Sequence, residues 1–249
     1  MTTLRSMLSW MADLAYPTAC AHCNAFCDGA GPLCPECNDK LHELSIAPAC
    51  IHCAMPIAQA NAPCPRCLGK GLYPYESVGR LCIYDGPIKT IVRQFKYHRR
   101  WPLAEWLADR LLEQPRIELL LKDIDLIVPI PLHRRRQFSR GYNQAKVIAA
   151  RIAKRSCHPL IQPLRRTRNT EQQTAQTSQK ARHANVRDAF ELKNAKPIEG
   201  KKILVVDDVL TTGATLQAVG RTLLSAKPAS LSGLILAVAD PRHRDFLSI

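Results

Sequence analysis

The chain has 249 residues, with 35 Lys and Arg against 21 Asp and Glu, and 46% of its residues are hydrophobic. This apolar content excludes a disordered chain, and no apolar run approaches the roughly 18 residues that a membrane-spanning helix needs. The length suits one medium domain with an appendage or two small domains, and the formal charge of +14 makes polyanions the first partners to consider.

Residues 1–15 predict a short amphipathic helix, because apolar residues recur at three- and four-residue spacing between Leu4 and Leu14. The segment does not have the pattern of a secretion signal, since Asp13 interrupts its apolar stretch. The residues before Cys20 are also a poor match to a lipoprotein cleavage site. We therefore expect a cytoplasmic protein.

Eight cysteines form a repeat in residues 16–70, where the spacing C-x2-C-x10-C-x2-C occurs twice, thirty residues apart. The eight are Cys20, Cys23, Cys34, Cys37, Cys50, Cys53, Cys64 and Cys67. Each CxxC pair aims two thiolates at one point, and two pairs complete a tetrahedral site with four sulfur ligands. The repeat predicts two structural zinc ions. A disulfide framework is the weaker alternative, because the chain shows no secretion signal.

After a linker at residues 71–79, short apolar runs alternate with helical patterns over residues 80–249. Strands are expected at Leu81–Tyr84, Asp125–Ile130, Ile203–Val206 and Leu231–Ala239. Helices are expected at Pro102–Glu113, Asn143–Arg155 and Ala214–Ala226. This alternation predicts an α/β domain with a mostly parallel sheet.

The sharpest motif follows the third of these strands, where Asp207 and Asp208 precede a turn that opens a helix. Ligands of α/β sheets bind beyond the carboxyl ends of strands, and backbone N–H groups at a helix N-terminus bind phosphate. The two carboxylates suit a sugar diol, so we expect a pentose 5-phosphate with its phosphate on the turn. The turn residues are Thr211, Thr212, Gly213, Ala214 and Thr215.

The positive charge is concentrated between His133 and Arg187, where 14 Lys or Arg residues accompany a single acid, Glu171. A solvated basic face is one explanation. An anion-binding site is favoured, because mutual repulsion among so many cations is offset by an anionic partner.

These motifs resemble those of a known family. The strand with Asp207, Asp208 and the following turn resembles the 5-phosphoribosyl-1-pyrophosphate (PRPP) motif of type I phosphoribosyltransferases. The segments Pro129–Arg134 and Arg140–Gln144, together with the cysteine-rich N-terminus, resemble the ComF family of competence-associated phosphoribosyltransferase-like proteins. The sequence departs from that pattern at Tyr142, where Phe is usual, and at Glu171, where Pro is common.

The resemblance implies a type I phosphoribosyltransferase-like fold preceded by a double zinc ribbon, with magnesium bound together with PRPP. It assigns the ribose and magnesium to Asp207 and Asp208, and the pyrophosphate to the loop at Pro129–Leu132 and the cations after it. The clamp residues are Pro131, Arg135, Arg136 and Arg140. The polar stretch at residues 162–185 lacks apolar periodicity and is expected to be a mobile hood over PRPP. The hood residues are Arg166, Arg168, Gln173 and Arg182.

Three functions remain open at this point. The chain is a magnesium-dependent enzyme that transfers phosphoribose to an unknown acceptor, a non-catalytic DNA-binding protein of natural transformation, or a PRPP-sensing scaffold for a helicase-type partner. Phe138 and Tyr142 are the aromatic candidates for stacking on single-stranded DNA near the basic segment, and Phe95–Arg100 is a second basic and aromatic cluster. A glutamine amidotransferase is not expected, because Met1 stands where such enzymes often carry a catalytic cysteine.

Overall fold

The computed structural model describes residues 19–27, 31–97, 100, 102–168 and 188–239. The helix expected at residues 1–15 and the hood residues Gln173 and Arg182 lie outside this part of the chain. The helices are α1 (Pro35–Ile46), α2 (Gly86–Tyr97), α3 (Leu103–Leu112), α4 (Pro115–Lys122), α5 (Arg134–Arg140), α6 (Gln144–Ser156) and α7 (Ala214–Leu224). In the described part of the chain, none of them is long and apolar enough to cross a membrane.

The strands are β1 (Ser77–Ile83), β2 (Leu126–Pro129), β3 (Leu164–Arg166), β4 (Phe190–Leu192), β5 (Lys202–Leu210) and β6 (Ser230–Val238). Four of them form a parallel sheet in the order β1-β6-β5-β2, and β3 pairs with β4 in an antiparallel ribbon. Their near-continuous apolar sequences suit a parallel sheet that is buried on both faces. The predicted α/β fold is thus confirmed.

The four predicted strands and three predicted helices are all present, with ends shifted by a few residues, but four helices were not predicted. Helix α5 is the clearest case, because it buries none of its residues and so has no apolar periodicity. Its ends are specified locally instead. The His133 side chain accepts a hydrogen bond from the N–H of Arg135, and Gly141 ends the helix with a φ of 82°.

Successive side chains of β5 point to opposite faces of the sheet, and a layer of the core lies on each face. Leu204 and Val206 pack in the layer that contains α2, α3 and α6, together with Cys20, Cys34 and Cys37 of the first half of the repeat. Ile203 and Val205 pack in the layer that contains α7 and the β3–β4 ribbon, together with the second four cysteines. The two halves of the cysteine repeat therefore belong to the same core as the sheet.

The cysteine repeat and the α/β sheet are in direct contact around the expected linker at residues 71–79. Strand β1 begins at Ser77, inside the expected linker at residues 71–79, and Tyr75 in the same stretch is buried. The Tyr75 hydroxyl donates to the Leu216 carbonyl at 2.8 Å, and the Arg80 guanidinium donates to the Ala54 carbonyl at 2.9 Å. The linker contains apolar residues that pack in the core. Because they follow no helix or strand period, the sequence did not indicate that they are buried.

Candidate functional site

The candidate site lies where the carboxyl ends of β2 and β5 meet, since Pro129 pairs with Val206. The sequence predicted that this strand ends before the carboxylate pair. In the structure β5 continues through both carboxylates to Leu210. Successive side chains of a strand point to opposite faces, so Asp207 follows Val205 on one face and Asp208 follows Val206 on the other.

Lys96 is a site residue that the sequence interpretation missed. Its ammonium group lies 3.0 Å from Oδ1 of Asp208, and the side chains of the two residues are only 11% and 15% exposed. We had assigned Lys96 to a basic cluster for nucleic acid. The sequence does hold an indication of this role: Lys96 directly follows Phe95 at the end of the buried side of α2, and a buried cation requires an anionic partner.

Asp207 is held in a different environment from its neighbour. Burial and the adjacent charge of Asp208 raise the pKa of Asp207 to about 7. A hydrogen bond from the Asp208 N–H to Oδ1 of Asp207, at 2.9 Å, and the charges of Lys96 and Arg166 oppose this shift. The pair thus combines one carboxylate that is neutralised by lysine with one that titrates near neutral pH.

Arg136 and Arg166 act on the two carboxylates, and the charge of Arg140 in turn acts on both of these arginines. Burial and the charge of Arg136 lower the pKa of Arg166 to about 10, while Asp207 acts in the opposite direction. Burial and the charge of Arg140 lower the pKa of Arg136, and Asp208 again opposes the shift. The mutual repulsion of these cations makes the site favourable for a multiply charged anion. Arg135 and Arg168, which were also expected to contact PRPP, are exposed.

Arg166, which was expected on the hood, lies on a strand. It ends strand β3, and its guanidinium lies 5.3 Å from the centre of the Phe190 ring on β4. The hood expected at residues 162–185 therefore contains a strand at Leu164–Arg166, and residues 169–185 lie outside the described part of the chain.

The expected pyrophosphate loop after β2 is anchored at Ile130 through both its N–H and its carbonyl. The N–H of Ile130 donates to the Val206 carbonyl at 3.0 Å, and the buried Asn143 side chain donates to the Ile130 carbonyl at 2.9 Å. Pro131 and Leu132 of this loop line a cavity of about 240 Å³. The cations that line the same cavity are Arg134, Lys146, Arg165, Arg166 and Lys193.

The expected phosphate turn connects β5 to α7. Gly213 is the N-cap residue of α7 and has a φ of 84°, a conformation that glycine adopts without strain. The Thr212 hydroxyl accepts a hydrogen bond from the Ala214 N–H at 3.4 Å. A Cβ at Gly213 would lie 2.7 Å from Cδ1 of Leu72, so the glycine is required by the packing of the ribbon against the turn.

The two cysteine sets fit structural zinc. Within each set the four sulfur atoms lie within 4.8 Å of one another. The separation of the Cys53 and Cys64 sulfurs is 3.5 Å, and that of the Cys23 and Cys34 sulfurs is 3.7 Å. A tetrahedron with zinc–sulfur bonds of about 2.3 Å has edges of about 3.8 Å, whereas a disulfide needs about 2.05 Å. The predicted grouping of the cysteines is confirmed, and four thiolates around a zinc ion leave no coordination position for a substrate.

Among the ribbon cysteines, the pKa is lowered at Cys20 and Cys64, whereas burial raises the pKa of Cys37, Cys50 and Cys53. Burial alone would raise the pKa of Cys64, but hydrogen bonds from the backbone N–H groups of Cys67 and Arg66 lower it to about 7. A metal ligand of this type binds as the thiolate, so the loop favours the form that zinc needs.

Comparisons with known proteins agree with this geometry. Residues 139–246 match the phosphoribosyl transferase domain, and residues 11–68 match the double zinc ribbon domain. The DNA utilization protein YhgH of Salmonella typhimurium is 34% identical over 155 residues, which cover 61% of this chain and 67% of that protein. Competence protein F of Haemophilus influenzae is 31% identical over 56% of this chain and 63% of its own length. Competence protein ComFC of Bacillus subtilis is 38% identical over 45% of this chain and 43% of its own length.

The matches to both domains and to these relatives show that the chain belongs to the ComF family of phosphoribosyltransferase-like proteins.

Proposed function

We propose that this protein binds PRPP with magnesium at the carboxyl ends of β2 and β5 and transfers its phosphoribosyl group to an acceptor. The observation that carries the proposal is the placement of Arg166 beside Asp207 and of Arg136 beside Asp208, with Arg140 next to both arginines and a turn suited to phosphate at the end of the same strand. A pentose with a phosphate at one end and a pyrophosphate at the other matches this order of groups.

Each part of the site has a role in binding. The N–H groups of the turn at the start of α7 receive the 5-phosphate, and the carboxylates of Asp207 and Asp208 accept hydrogen bonds from the ribose hydroxyls. Arginine forks bind the pyrophosphate oxygens more specifically than lysine ammonium groups do. A magnesium ion, held by oxygens of the acidic pair and of PRPP, would supply charge neutralisation for the leaving group.

In the transfer itself, the bond from ribose C1 to the pyrophosphate oxygen breaks and the oxygen keeps the electron pair. The acceptor donates an electron pair to C1 from the opposite face and loses its proton to solvent or a base. The arginine cluster stabilises the charge that develops on the departing pyrophosphate. Lys96 forms an ion pair with Asp208 at 3.0 Å, and this contact sets the direction of that carboxylate.

The transfer is tested by pyrophosphate release from PRPP and magnesium in the presence of single nucleobases, nucleosides and short oligonucleotides. We expect acceptor-dependent release by the wild-type protein and at least about a hundredfold loss in the Arg136→Gln/Arg166→Gln variant. Lys193→Gln is the control, since this exposed cation lines the neighbouring cavity and not the acidic pair. Tight PRPP binding with no release for any acceptor would contradict catalysis and leave a PRPP-sensing role.

A second candidate function is binding of single-stranded DNA, consistent with relatives that are named for competence and DNA utilization. The observation that favours it is Phe138, which is 90% exposed on α5 next to the cavity lined by five cations. An exposed aromatic ring beside a cationic groove is the combination that stacks bases and neutralises their phosphates.

DNA binding is tested by fluorescence anisotropy with a labelled single-stranded oligonucleotide over a range of salt concentrations. Affinity should fall with salt, with a slope that Arg135→Gln/Arg136→Gln lowers by about one to two units. Phe138→Ala should weaken binding by about 1–3 kcal/mol. Leu119→Ala, which removes another exposed apolar side chain on α4, should leave it unchanged. A DNA affinity that does not change with salt concentration or with Phe138→Ala would contradict this function.

A helicase-type partner and a cytoplasmic location are consistent with the same role.

A further inference from the structure

Arg66 connects the second cysteine site to the phosphate turn. It lies between Cys64 and Cys67 in the second ribbon, and its Nη2 donates to the carbonyl oxygen of Thr211 at 2.8 Å. Its Nη1 lies 2.8 Å from Sδ of Met55, which belongs to the same ribbon and is buried. The guanidinium therefore joins a zinc-binding loop to the first residue of the turn.

This hydrogen bond determines which way the turn presents its donors. A trans peptide is planar, with its carbonyl and its N–H pointing in opposite directions. Because the Thr211 carbonyl points to Arg66 in the ribbon, the N–H of Thr212 points away from the ribbon. A charged donor is also stronger than a neutral one, so it opposes rotation of this peptide.

The segment that directly follows the second ribbon also packs on the turn and on α7. Cδ1 of Leu72 would lie 2.7 Å from a Cβ at Gly213, and Pro74 and Tyr75 lie within 2.5–2.9 Å of the Cβ position at Gly220 on α7. Nη2 of Arg66 itself would lie 3.6 Å from a Cβ at Gly213. The turn is thus packed on one side by Arg66 of the second ribbon and by the residues that follow it.

The first cysteine site has different neighbours. His22 contacts the Thr90 hydroxyl at 2.9 Å, and the Gln94 side chain donates to the Ala21 carbonyl at 2.8 Å, so this ribbon packs on α2. The hydrogen bonds of its described residues do not include one to the phosphate turn. The two halves of the repeat are therefore equivalent in sequence but not in position.

We propose that Arg66 is a positioning residue for the 5-phosphate turn, and that through it the second cysteine site, and not the first, sets the affinity for PRPP. The inference rests on the proposed PRPP function of this pocket. It gives the double ribbon a part in ligand binding that its four-sulfur coordination alone does not suggest.

The test is calorimetric titration of the full-length, zinc-loaded protein and its Arg66→Gln variant with PRPP, ribose 5-phosphate and pyrophosphate. We expect the affinity for PRPP and for ribose 5-phosphate to fall by the same factor, at least about tenfold, because one charged hydrogen bond is lost. The affinity for pyrophosphate should not change, since the turn receives only the 5-phosphate. Arg66→Lys keeps a charged donor and should restore most of the affinity.

Arg116→Gln is the matched control. Arg116 donates to the carbonyl of Ile51 in the same ribbon at 3.0 Å but makes no described contact with the turn. It should leave all three affinities unchanged, and both variants should keep two zinc ions per chain. If the wild-type protein fails to bind PRPP, the proposed function itself is rejected. If the wild type binds and Arg66→Gln binds equally, or loses zinc and all three ligands together, the positioning role is rejected. Leu72→Ala is a second variant with intact zinc ligands, and it should weaken ribose 5-phosphate more than pyrophosphate.

Discussion

Replacing Asp207 by Asn should stabilise the protein without ligand while it weakens PRPP binding. In the folded state burial and the charge of Asp208 raise the pKa of Asp207 to about 7, whereas an unfolded aspartate titrates near about 4. An acid whose pKa rises on folding favours the protonated form. Its contribution to stability is present below pH of about 4, is lost as the pH rises through about 7, and becomes a penalty above that.

The size of this effect follows from the shift. A difference of about three pKa units corresponds to about 4 kcal/mol at pH 8, because each unit equals about 1.36 kcal/mol. The pocket opens to water, which screens part of the charge, so we expect about 2–3 kcal/mol. Asparagine carries no charge at any pH, so Asp207→Asn should match the wild type near pH 4, gain on it between pH 4 and pH 7, and exceed it by this amount at pH 8.

The assay is reversible urea unfolding of both proteins at several values between pH 4.5 and pH 8. Their difference in free energy of unfolding isolates Asp207, since the other titrating groups are common to both. Asp123→Asn is the control, because this exposed carboxylate pairs with Lys202 at the surface and should give a difference near zero. A difference that does not grow with pH, or a variant less stable than the wild type at pH 8, would refute the reasoning.

Three further predictions concern the core, the turn and the ribbons. Lys96→Met leaves two buried carboxylates without their ammonium group. Urea unfolding at pH 8 should show a loss of about 3–5 kcal/mol in the free energy of unfolding, and this loss should be smaller at pH 5, where Asp207 is protonated. An equal loss at both pH values would count against this prediction. Gly213→Val places a β-branched residue at positive φ and against Leu72, and should cost about 2–5 kcal/mol in unfolding free energy; an unchanged midpoint in urea contradicts the packing seen here. Metal analysis of the purified protein should give two zinc ions per chain, and disulfides at the eight ribbon cysteines would exclude both sites.

Elements specified by local chemistry could be predicted from the sequence. The CxxC spacing predicted two four-cysteine zinc sites, because two knuckles and a tetrahedral ion impose a short-range geometry, but it left open which knuckles share a site. The buried strands were recognisable by their apolar runs, and the turn at Gly213 by its small residues before an amphipathic helix.

Features that depend on tertiary contacts could not be predicted in the same way. Lys96 reads as one cation among several, and only the fold brings it to within 3.0 Å of Asp208, more than a hundred residues away in the chain. In the sequence Arg66 is only one of two residues between Cys64 and Cys67, with no indication of a role. In the structure its guanidinium donates a hydrogen bond to the Thr211 carbonyl. Helix α5 has no buried side chain, so its sequence has no apolar period from which a helix could be predicted.

The separation into two domains was expected because the composition changes sharply at the end of the cysteine repeat. Composition reports the chemistry of a segment and not its neighbours. Here the cysteines of both ribbons join the core layers on the two faces of the sheet. Loss of one zinc ion should therefore destabilise the whole protein and not only its own ribbon.

The central claim, that the ends of β2 and β5 form a PRPP site, is tested most directly by calorimetric titration of the intact protein with PRPP and magnesium. The account predicts saturable binding of one PRPP per chain, with the affinity reduced by roughly 1–3 kcal/mol for each hydrogen bond lost in the Asp207→Asn/Asp208→Asn variant. Absence of binding, or equal affinity in the wild type and this variant, would contradict it.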